Sequence, residues 1–316
     1  MNEHNFPIPA QDYKVIIRCH TYNQEKYIAD ALNGFVRQKT NFPFCALVID
    51  DCSTDHNADI IREYEKKYPD IIKGVYLKEN YYSQKKSKNP IAQPWIERAQ
   101  YISFCEGDDY WIDDYKLQRQ VDFLDAHPDY MMHFHNALVR HQNHDVPDHL
   151  LSYFDTGDFS TALLFEKWQL PLASVLFRKE ILNSQVYQDL IKVYPGGFCF
   201  FIASSRVGKV FGLSECLSVY RKNDGGISNG FSAAYAMRLN YGFAKASGAP
   251  EALKVMDRRA VRDLRGYILP YFRKNPEAIE MVRVIDSFNK TVFYVALWEY
   301  IKSVPVRILR KLHIKK

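Results

Sequence analysis

The first half of the chain alternates short apolar runs with amphipathic segments of helical period. Apolar runs of strand length occur at YKVIIRC, FCALVI, IIKGVYL, YISFC and YMMHFHNALV, and helical patterns separate them at EKYIADALNGFV, ADIIREYEKKY, QPWIERAQ and KLQRQVDFLDAH. Strands that alternate with helices of this length predict βαβ units with right-handed crossovers. The pattern therefore predicts an α/β fold, with a mostly parallel sheet flanked by helices.

The second half of the chain is less regular. Up to residue 230 it carries loop signals at HQNHDVPDH and DTGD, an extended ASVLFRKE, a helix near FCFFIASSRV and a strand at CLSVYR. The stretch that follows predicts two or three amphipathic helices, separated at GAP (248–250) and NP (275–276). These patterns divide the chain into an α/β domain over residues 1–230 and a C-terminal helical region over residues 231–316.

The basic charge of the chain is concentrated at its C-terminus. The sequence has 42 Lys and Arg against 37 Asp and Glu, but six of the basic residues and none of the acidic ones lie in the last fifteen, KSVPVRILRKLHIKK. The remainder is close to neutral, which argues against a nucleic-acid partner. The tail itself predicts a basic amphipathic helix on an anionic membrane surface, with an ordinary packed C-terminal helix as the alternative.

Cysteine usage and apolar segments indicate the compartment. The six cysteines lie far apart and form no CxxC pair, which is typical of reduced, buried thiols. The N-terminus has no signal-peptide pattern, and the apolar run VFYVALW is shorter than the about 20 residues that a membrane-spanning helix needs. We expect a cytoplasmic protein, which the basic tail would attach to the inner face of the plasma membrane.

Polar segments follow the first four predicted strands: HTYNQE, DDCSTD, KENYYSQKKSK and EGDDYW. In sheets of this kind ligands lie beyond the carboxyl ends of the strands, so we expect these segments to share one edge. Carboxylates crowd together there only with solvent or a cation to offset their charge. Glu106, Asp108 and Asp109 fit a Mn²⁺ or Mg²⁺ site completed by substrate phosphates, and a solvated acidic turn is the alternative.

The strand ends HTYNQE, IDDCSTD and CEGDDYW, in this order and spacing, resemble those of family 2 glycosyltransferases. The resemblance is strong over residues 13–138 and looser over 160–228, and the most similar subgroup builds bacterial cell-surface polysaccharide or lipopolysaccharide. It implies the GT-A fold and an inverting transfer from a nucleotide sugar, first of all a UDP-sugar, to a glycan or lipid-linked saccharide. A nucleotidyltransferase is disfavoured, because no glycine-rich, basic activation loop lies near the N-terminus.

The resemblance also implies roles for residues that would bind the nucleotide. Thr21 and Tyr22 would contact it, and Glu25 would lie near the base or ribose. Asp51 would hydrogen-bond the uracil of a UDP-sugar. The loop after the third strand supplies Lys85, Lys86 and Lys88 near the expected diphosphate, with Lys85 as the candidate and a mobile solvated loop as the alternative.

For the metal, the resemblance implies that Asp109 binds the ion between the two phosphates, with Glu106 as the first member of a DxD-like pair. Asp108 would lie by the ribose or the metal. The ion would act as a Lewis acid that stabilises the leaving diphosphate. Trp111 is a candidate for stacking on the acceptor sugar, and packing beneath the acidic turn is its alternative.

An inverting transfer also needs a base for the acceptor hydroxyl. The family places a carboxylate before a helix upstream of a YR motif, where this chain has Gly197, and a histidine two positions after that motif, where it has Asn223. Three explanations remain open. The register differs in this half; another acid, with Asp224 as the candidate and Asp189 or Glu215 behind it, is the base; or the protein binds a nucleotide sugar without transferring it efficiently.

Overall fold

The computed structural model describes residue 9 and residues 11–142, 144–167, 170–223, 232–265 and 276–303. Its strands are β1 (Tyr13–Thr21), β2 (Phe44–Asp50), β3 (Ile72–Tyr76), β4 (Ala99–Phe104), β5 (Tyr110–Trp111), β6 (Tyr130–His141), β7 (His149–Leu150), β8 (Gly157–Asp158), β9 (Leu176–Arg178) and β10 (Lys209–Lys222). Short 3₁₀ helices span Leu172–Ser174 and Lys179–Asn183.

The α-helices are α1 (Ile28–Val36), α2 (Asn57–Lys67), α3 (Asn89–Glu97), α4 (Lys116–Ala126), α5 (Thr161–Lys167), α6 (Gln185–Val193), α7 (Phe198–Val207), α8 (Ala233–Ala246), α9 (Pro250–Asp263), α10 (Pro276–Phe288) and α11 (Lys290–Ser303). Helix α3 begins earlier than the apolar pattern predicts. Pro90 occupies its first turn, where a missing N–H group costs nothing. This start places Lys88 directly before the helix.

The strands form one sheet in the order β3-β2-β1-β4-β9-β6-β10-β5, with β7 beside β6 and β8 beside β10. The first four strands pair in parallel, as the alternation of strands and helices predicts. Strand β9 runs antiparallel between β4 and β6, and β5 runs antiparallel to β10. Strands β6 and β10 pair in parallel again, over most of their length. The sheet is therefore mixed, but most of its paired residues lie in parallel ladders, as expected.

The parallel part of the sheet is covered on both faces. Every residue of β2 is buried, as expected for a central parallel strand that packs helices on either side. One face carries a core that includes Val15, Ile17, Ala46 and Val48 together with residues of α1 and α4. Because neighbouring parallel strands start and end in register, the polar residues after β1, β2 and β4 emerge at the same edge.

The chain forms two compact units. The first takes the described residues within 1–160, 169–187 and 200–224, and the second takes those within 161–168, 188–199 and 225–316. The second unit thus includes two segments that precede the C-terminal helices in sequence. The division into residues 1–230 and 231–316 stays a prediction.

The C-terminal region has four helices in its described residues, where the sequence pattern predicts two or three. The additional break lies at Asn289, between α10 and α11. Its backbone N–H donates to the Ile285 carbonyl at 2.8 Å, and its side-chain Oδ1 accepts from the Thr291 N–H at 3.1 Å. Asparagine is among the preferred residues for starting a helix, so it ends one helix and begins the next.

Two further expectations concern thiols and membrane spans. All six cysteines are free in the structure, and Cys19, Cys45, Cys105 and Cys199 are buried. Of the helices that the structure describes, none is both long enough and apolar enough to cross a bilayer. The predicted basic tail, residues 304–316, lies outside the described residues.

Candidate active site

The carboxyl ends of β1, β2 and β4 meet at one edge of the sheet through backbone hydrogen bonds. Thr21 pairs with Asp50 in the ladder, and the next residue, Asp51, donates its N–H to the Thr21 carbonyl at 2.9 Å. On the other side of β1, the Gly107 N–H donates to the His20 carbonyl at 2.9 Å. The motifs HTYNQE, DDCSTD and EGDDYW therefore lie side by side, as the sequence predicts.

Gly107 allows the acidic turn to lie directly against the end of β1. A Cβ atom at this position would lie 2.4 Å from Gln24 Oε1 and 2.6 Å from Thr21 Oγ1, closer than real Cβ contacts allow. Only glycine fits this space without movement of its neighbours. The glycine of CEGDDYW thus sets how close Glu106 and Asp108 come to the first strand.

Behind this edge, buried polar side chains bond to one another. The Asp50 carboxylate accepts from the Asn57 amide at 2.6 Å and from the Ser53 N–H at 3.0 Å. Thr21 Oγ1 lies 3.0 Å from Asn57 Oδ1 and 2.8 Å from Gln24 Oε1. This network fixes the two strand ends, and it explains why an acid precedes Asp51 in the motif. Asn57 and Gln24 are structural members that the motifs alone do not reveal.

Asp51 organises the loop that follows β3. Its carboxylate accepts from the backbone N–H groups of Tyr81 at 2.7 Å and Tyr82 at 3.0 Å, and it forms an ion pair with Lys88 Nζ at 2.8 Å. A carboxylate has about four acceptor positions, so about one is left for a ligand. Asp51 therefore orders the loop, and its contact with uracil stays a prediction.

The lysine that reaches the site is Lys88, whereas the sequence favours Lys85. The Lys88 side chain is 14% exposed and lies against Asp51. Lys85 is exposed, in a turn where its φ angle is +56°, and Lys86 pairs with Glu79 at the loop surface. The start of α3 at Asn89 brings Lys88 inward, and Pro90 was the sequence signal for that start.

Glu25 and Tyr22 belong to the turn after β1. Glu25 Oε2 accepts from the His56 N–H at 2.9 Å, and the Glu25 N–H donates to Asp55 Oδ2 at 2.9 Å, so the two polar turns after β1 and β2 are cross-linked. Tyr22 is 46% exposed at the same edge. Asp55 also accepts from the Asn57 N–H at the start of α2. Glu25 thus has a structural role, and Tyr22 keeps an exposed ring for a ligand.

The acidic turn concentrates negative charge in a crowded place. Burial, and Asp108 next, raise the pKa of Glu106 to about 7, although 34% of its side-chain surface is exposed. Burial and then Asp108 raise the pKa of Asp109 well above its usual range, and burial raises the pKa of Asp108. Arg18 and Lys88 oppose the rise at Glu106. A bound cation would therefore stabilise the ionised carboxylates of this turn.

Arg221, from the YR motif on β10, holds the turn from the other side. Its backbone N–H donates to Asp109 Oδ1 at 2.9 Å, and its Nε donates to the Asp108 carbonyl at 2.8 Å. Its Nη2 donates to Asp30 at 2.6 Å. Asn223 Nδ2 donates to Asp108 Oδ2 at 3.1 Å. Arg221 and Asn223 thus lie beside the acidic turn, where the resemblance puts the YR motif and the residue two positions after it. This argues against a register error at these two residues.

The carboxylates fit a divalent ion that completes its coordination with oxygens of the substrate. Across the described residues no three His, Cys, Asp or Glu side chains form a ready-made metal site. Mg²⁺ and Mn²⁺ sites that act on phosphates use one or two carboxylates, and the substrate supplies the other oxygens. Asp108, whose Oδ2 accepts from Asn223, and the partly exposed Glu106 match this donor set. Asp109 is 6% exposed and bonded to Arg221, so it is the less accessible donor.

A comparison with protein families decides the class of this site. The model of "Glycosyl transferase family 2" matches residues 17–202, which is more than half of the chain and includes every strand end described above. The chain belongs to glycosyl transferase family 2.

Similar proteins agree with this family. Rv1520 of Mycobacterium tuberculosis is 30% identical over 237 residues, 75% of this chain and 66% of Rv1520, so the match spans just under two thirds of that relative. TuaG of Bacillus subtilis, named for teichuronic acid biosynthesis, is 36% identical over 107 residues, 33% of this chain and 39% of TuaG. A crystal structure of residues 1–349 of Staphylococcus aureus TarS with UDP-GlcNAc shares the fold, at a TM-score of 0.61 and 18% identity over 88% of this chain and 82% of that one. The α/β expectation with the GT-A fold is thereby confirmed.

Trp111, the family 2 candidate for acceptor stacking, is wrongly assigned. Its side chain is fully buried, and Nε1 donates to the Ala173 carbonyl at 2.7 Å. The ring meets Phe35 edge to face at 5.1 Å between centroids, and Lys116 Nζ lies 3.9 Å from the ring centroid. Trp111 lies on β5 with no exposed ring face, so it anchors the acidic turn to the core.

Two of the acids considered as the proton acceptor, Asp189 and Glu215, form ion pairs in the structure, and their role stays a prediction. Gly197 lies directly before α7, at the helix start where the family has a carboxylate. Asp189 forms an ion pair with Lys192 on the same helix, and Glu215 pairs with Arg119. Asp224, the candidate base, lies outside the described residues and stays a prediction.

Proposed function

We propose that this family 2 member transfers a sugar, with inversion, from a UDP-sugar or another nucleotide sugar to a bacterial surface glycan or lipid-linked saccharide. The observation that carries the proposal is the convergence of Thr21, Asp51, Lys88 and the turn Glu106–Asp109 at one sheet edge. This edge offers an exposed aromatic ring, a cation and carboxylates, which together suit a nucleotide, its diphosphate and a metal.

The donor proposal has support from the arrangement around Asp51. The carboxylate is 2% exposed and holds the loop that carries Lys88, so the loop lysine is fixed near the place where a diphosphate would lie. A lysine ammonium is a suitable point charge for phosphate. The relative TarS, named a poly(ribitol-phosphate) β-N-acetylglucosaminyltransferase, is 36% identical over 110 residues and was solved with UDP-GlcNAc, which makes UDP-sugars the first donors to test.

For the cofactor, we propose Mn²⁺ or Mg²⁺, held by Asp108 with Glu106 or Asp109. When bound, the ion supplies Lewis-acid stabilisation of the charge on the leaving diphosphate. The protein contributes the fixed position of the turn, because Gly107 ties it to β1, Arg221 ties it to β10 and Trp111 ties it to the 3₁₀ helix Leu172–Ser174. Such fixed positions let charges act without reorganisation during reaction.

The acceptor proposal depends on relatives. TuaG is named for teichuronic acid biosynthesis and TarS for a poly(ribitol-phosphate) substrate, and both names refer to bacterial surface polymers. The two matches cover about a third of this chain. Surface glycan is therefore the acceptor class that we propose, without a choice of sugar or linkage.

The direct test measures UDP release from UDP-sugars with Mn²⁺, with and without acceptor glycans. Asp108→Asn keeps the shape of the side chain and removes its charge, and we expect about a hundredfold lower turnover. Asp122→Asn, at an exposed acid on α4, is the matched control and should keep wild-type turnover. A product of inverted anomeric configuration is expected by NMR, and equal turnover in Asp108→Asn would refute the proposed role of this carboxylate.

A second candidate function has specific support from Gly197 and Asn223. A nucleotide-sugar-binding subunit of a glycan assembly complex would need the donor site and no base, and the acids Asp189 and Glu215 are held in ion pairs. This candidate predicts tight UDP binding without a glycosylated product from any acceptor. Detection of such a product removes it.

A further inference from the structure

One side of helix α11 is both apolar and exposed. Apart from Lys290 at its start, its exposed residues among those described are Thr291, Tyr294, Val295, Trp298 and Lys302. At 100° per residue these five positions fall within a single stripe of about 100°. Tyr294 is 69%, Val295 45% and Trp298 54% exposed. We refer to these five residues as the α11 stripe.

The opposite side of α11 is already packed. Val292 is 3% and Ala296 0% exposed, so the helix has buried its inner face and still presents large apolar rings outward. An ordinary surface helix carries polar and charged residues on its outer face. A helix that is apolar on all sides is normally covered on all sides. The α11 stripe therefore has the composition of a surface that something covers.

Positive charge predominates around the stripe, and the acid of the same helix, Glu299, is paired with Arg265. Lys290 and Lys302 lie at the two ends of α11, and Lys302 Nζ is 5.0 Å from the centroid of the Trp298 ring. The sequence continues for thirteen residues after Ser303, with five Lys or Arg and no Asp or Glu. Tryptophan and tyrosine rings beside basic residues are characteristic of segments that lie at the interface of anionic membranes.

We propose that the α11 stripe, with Lys290 and Lys302 at the two ends of the helix, docks the protein on the surface of an anionic lipid bilayer. The helix has 14 residues and does not meet the length and hydropathy of a membrane span, so it would lie in the plane of the interface. The docking itself does not depend on the proposed function. The proposed function only explains why docking would be useful, since a lipid-linked acceptor would be presented at the same surface.

A second copy of the chain is a poorer occupant. In a two-fold symmetric dimer the same surface meets itself, so the basic residues around each stripe would face identical basic residues. Like charges across an interface oppose association. A surface of anionic headgroups complements the charge and accepts the aromatic rings together.

The first experiment is sedimentation with vesicles of phosphatidylcholine alone or with one third phosphatidylglycerol. We expect wild-type protein to bind the anionic vesicles, with binding that weakens as salt is raised. The double variant Tyr294→Ser with Trp298→Ser should partition about tenfold more weakly. Tyr153→Ser changes a ring that is 72% exposed on the first unit, and this matched control should bind like wild type.

The second experiment detects the depth of Trp298 by fluorescence quenching with brominated lipids. Trp95 and Trp111 are 1% and 0% exposed, so they are shielded from the lipid. The fourth tryptophan, Trp168, lies outside the described residues and is replaced by phenylalanine in both proteins that are compared. We expect quenching in Trp168→Phe alone and its loss when Trp298→Phe is added, which keeps an apolar ring and therefore most of the vesicle binding.

Three results would overturn the proposal: no binding of wild type to anionic vesicles, equal binding of the double variant at an unchanged melting temperature, or a dimer in ultracentrifugation that the double variant dissociates. UDP affinity is measured on the same samples. If UDP still binds while vesicles do not, the docking surface is wrong and the donor site stands. If the protein binds vesicles and does not bind UDP, the proposed function is wrong and the docking surface stands.

Discussion

The acidic side chains have different partners at the strand ends of the first half and in the segment from α6 to β10. At the strand ends, carboxylates accept hydrogen bonds from neighbouring turns, as Asp50 does from Asn57 and Asp51 from Tyr81. In the later segment, Asp189 and Glu215 form ion pairs with side chains at the surface. The difference shows that the sheet edge proposed for the donor is built as a connected network, whereas Asp189 and Glu215 pair with Lys192 and Arg119 at the surface.

The largest expected effect concerns Trp111, which belongs to the buried contacts that hold the acidic turn and does not face an acceptor. Trp111→Ala removes a fully buried indole and leaves the Ala173 carbonyl without its donor. We expect a loss of about 3–5 kcal/mol in the free energy of unfolding, measured with urea. Trp111→Phe keeps most of the ring volume and should lose less. A stable Trp111→Ala protein with only acceptor binding impaired would restore the stacking role.

A second prediction concerns His133 on β6, which burial keeps neutral by lowering its pKa to about 3. In the unfolded chain its pKa is about 6.5, so between these values the unfolded state binds more protons, and stability falls as pH falls. The loss from this residue is at most about 1.4 kcal/mol per pH unit below pH 6.5, and it is absent above pH 7.5.

His133→Asn tests this sign, because asparagine can replace the Nδ1 contact with Gln120 and carries no titrating group. Urea denaturation from pH 8 to pH 4 should show a shallower decline for the variant than for wild type. Parallel curves for the two proteins would mean that His133 does not govern acid stability, whatever their difference at pH 8.

Gly107→Ala tests whether the acidic turn is held directly against the end of β1. The added Cβ would collide with Gln24 Oε1 and Thr21 Oγ1, so we expect a destabilisation of about 1–3 kcal/mol and weaker UDP binding. Adding Gln24→Ala removes one of the two collisions and should recover part of the stability. A Gly107→Ala protein with wild-type melting temperature and UDP affinity would show that the turn is not held against β1.

The smallest effect distinguishes the two loop lysines. Lys88→Met should weaken UDP binding about tenfold, about 1.4 kcal/mol, because a fixed ammonium near the diphosphate is lost. Lys85→Met, the matched control on the exposed turn, should change affinity less than twofold. Calorimetric titration with UDP measures both. The reverse order of effects would return the role to Lys85.

Much of the fold was predictable because its signals are local. Apolar runs such as FCALVI are buried on both faces, and parallel strands carry the residues after them to one edge, so Thr21, Asp51 and Asp108 could be grouped from sequence alone. The extended segment ASVLFRKE was predicted, but its antiparallel insertion as β9 between β4 and β6 was not, because a strand of three residues carries no signal for its partners.

Individual roles at the site were harder to predict than their location. The pattern DYW does not tell whether Trp111 turns outward or inward, since that depends on the Ala173 carbonyl 62 residues away. Likewise, the spacing of KKSKN does not choose between Lys85 and Lys88, because the choice follows from the pairing of Lys88 with Asp51. Contacts between distant segments decided both cases.

The central claim is that the turn Glu106–Asp109 binds a metal together with the donor diphosphate. Calorimetric titration of UDP with and without Mn²⁺, on wild type and on Asp108→Asn, tests it most directly. We predict that Mn²⁺ strengthens UDP binding to wild type at least about tenfold and has little effect on Asp108→Asn. Equal UDP affinity with and without Mn²⁺ in wild type, or an undiminished Mn²⁺ effect in Asp108→Asn, would contradict the account.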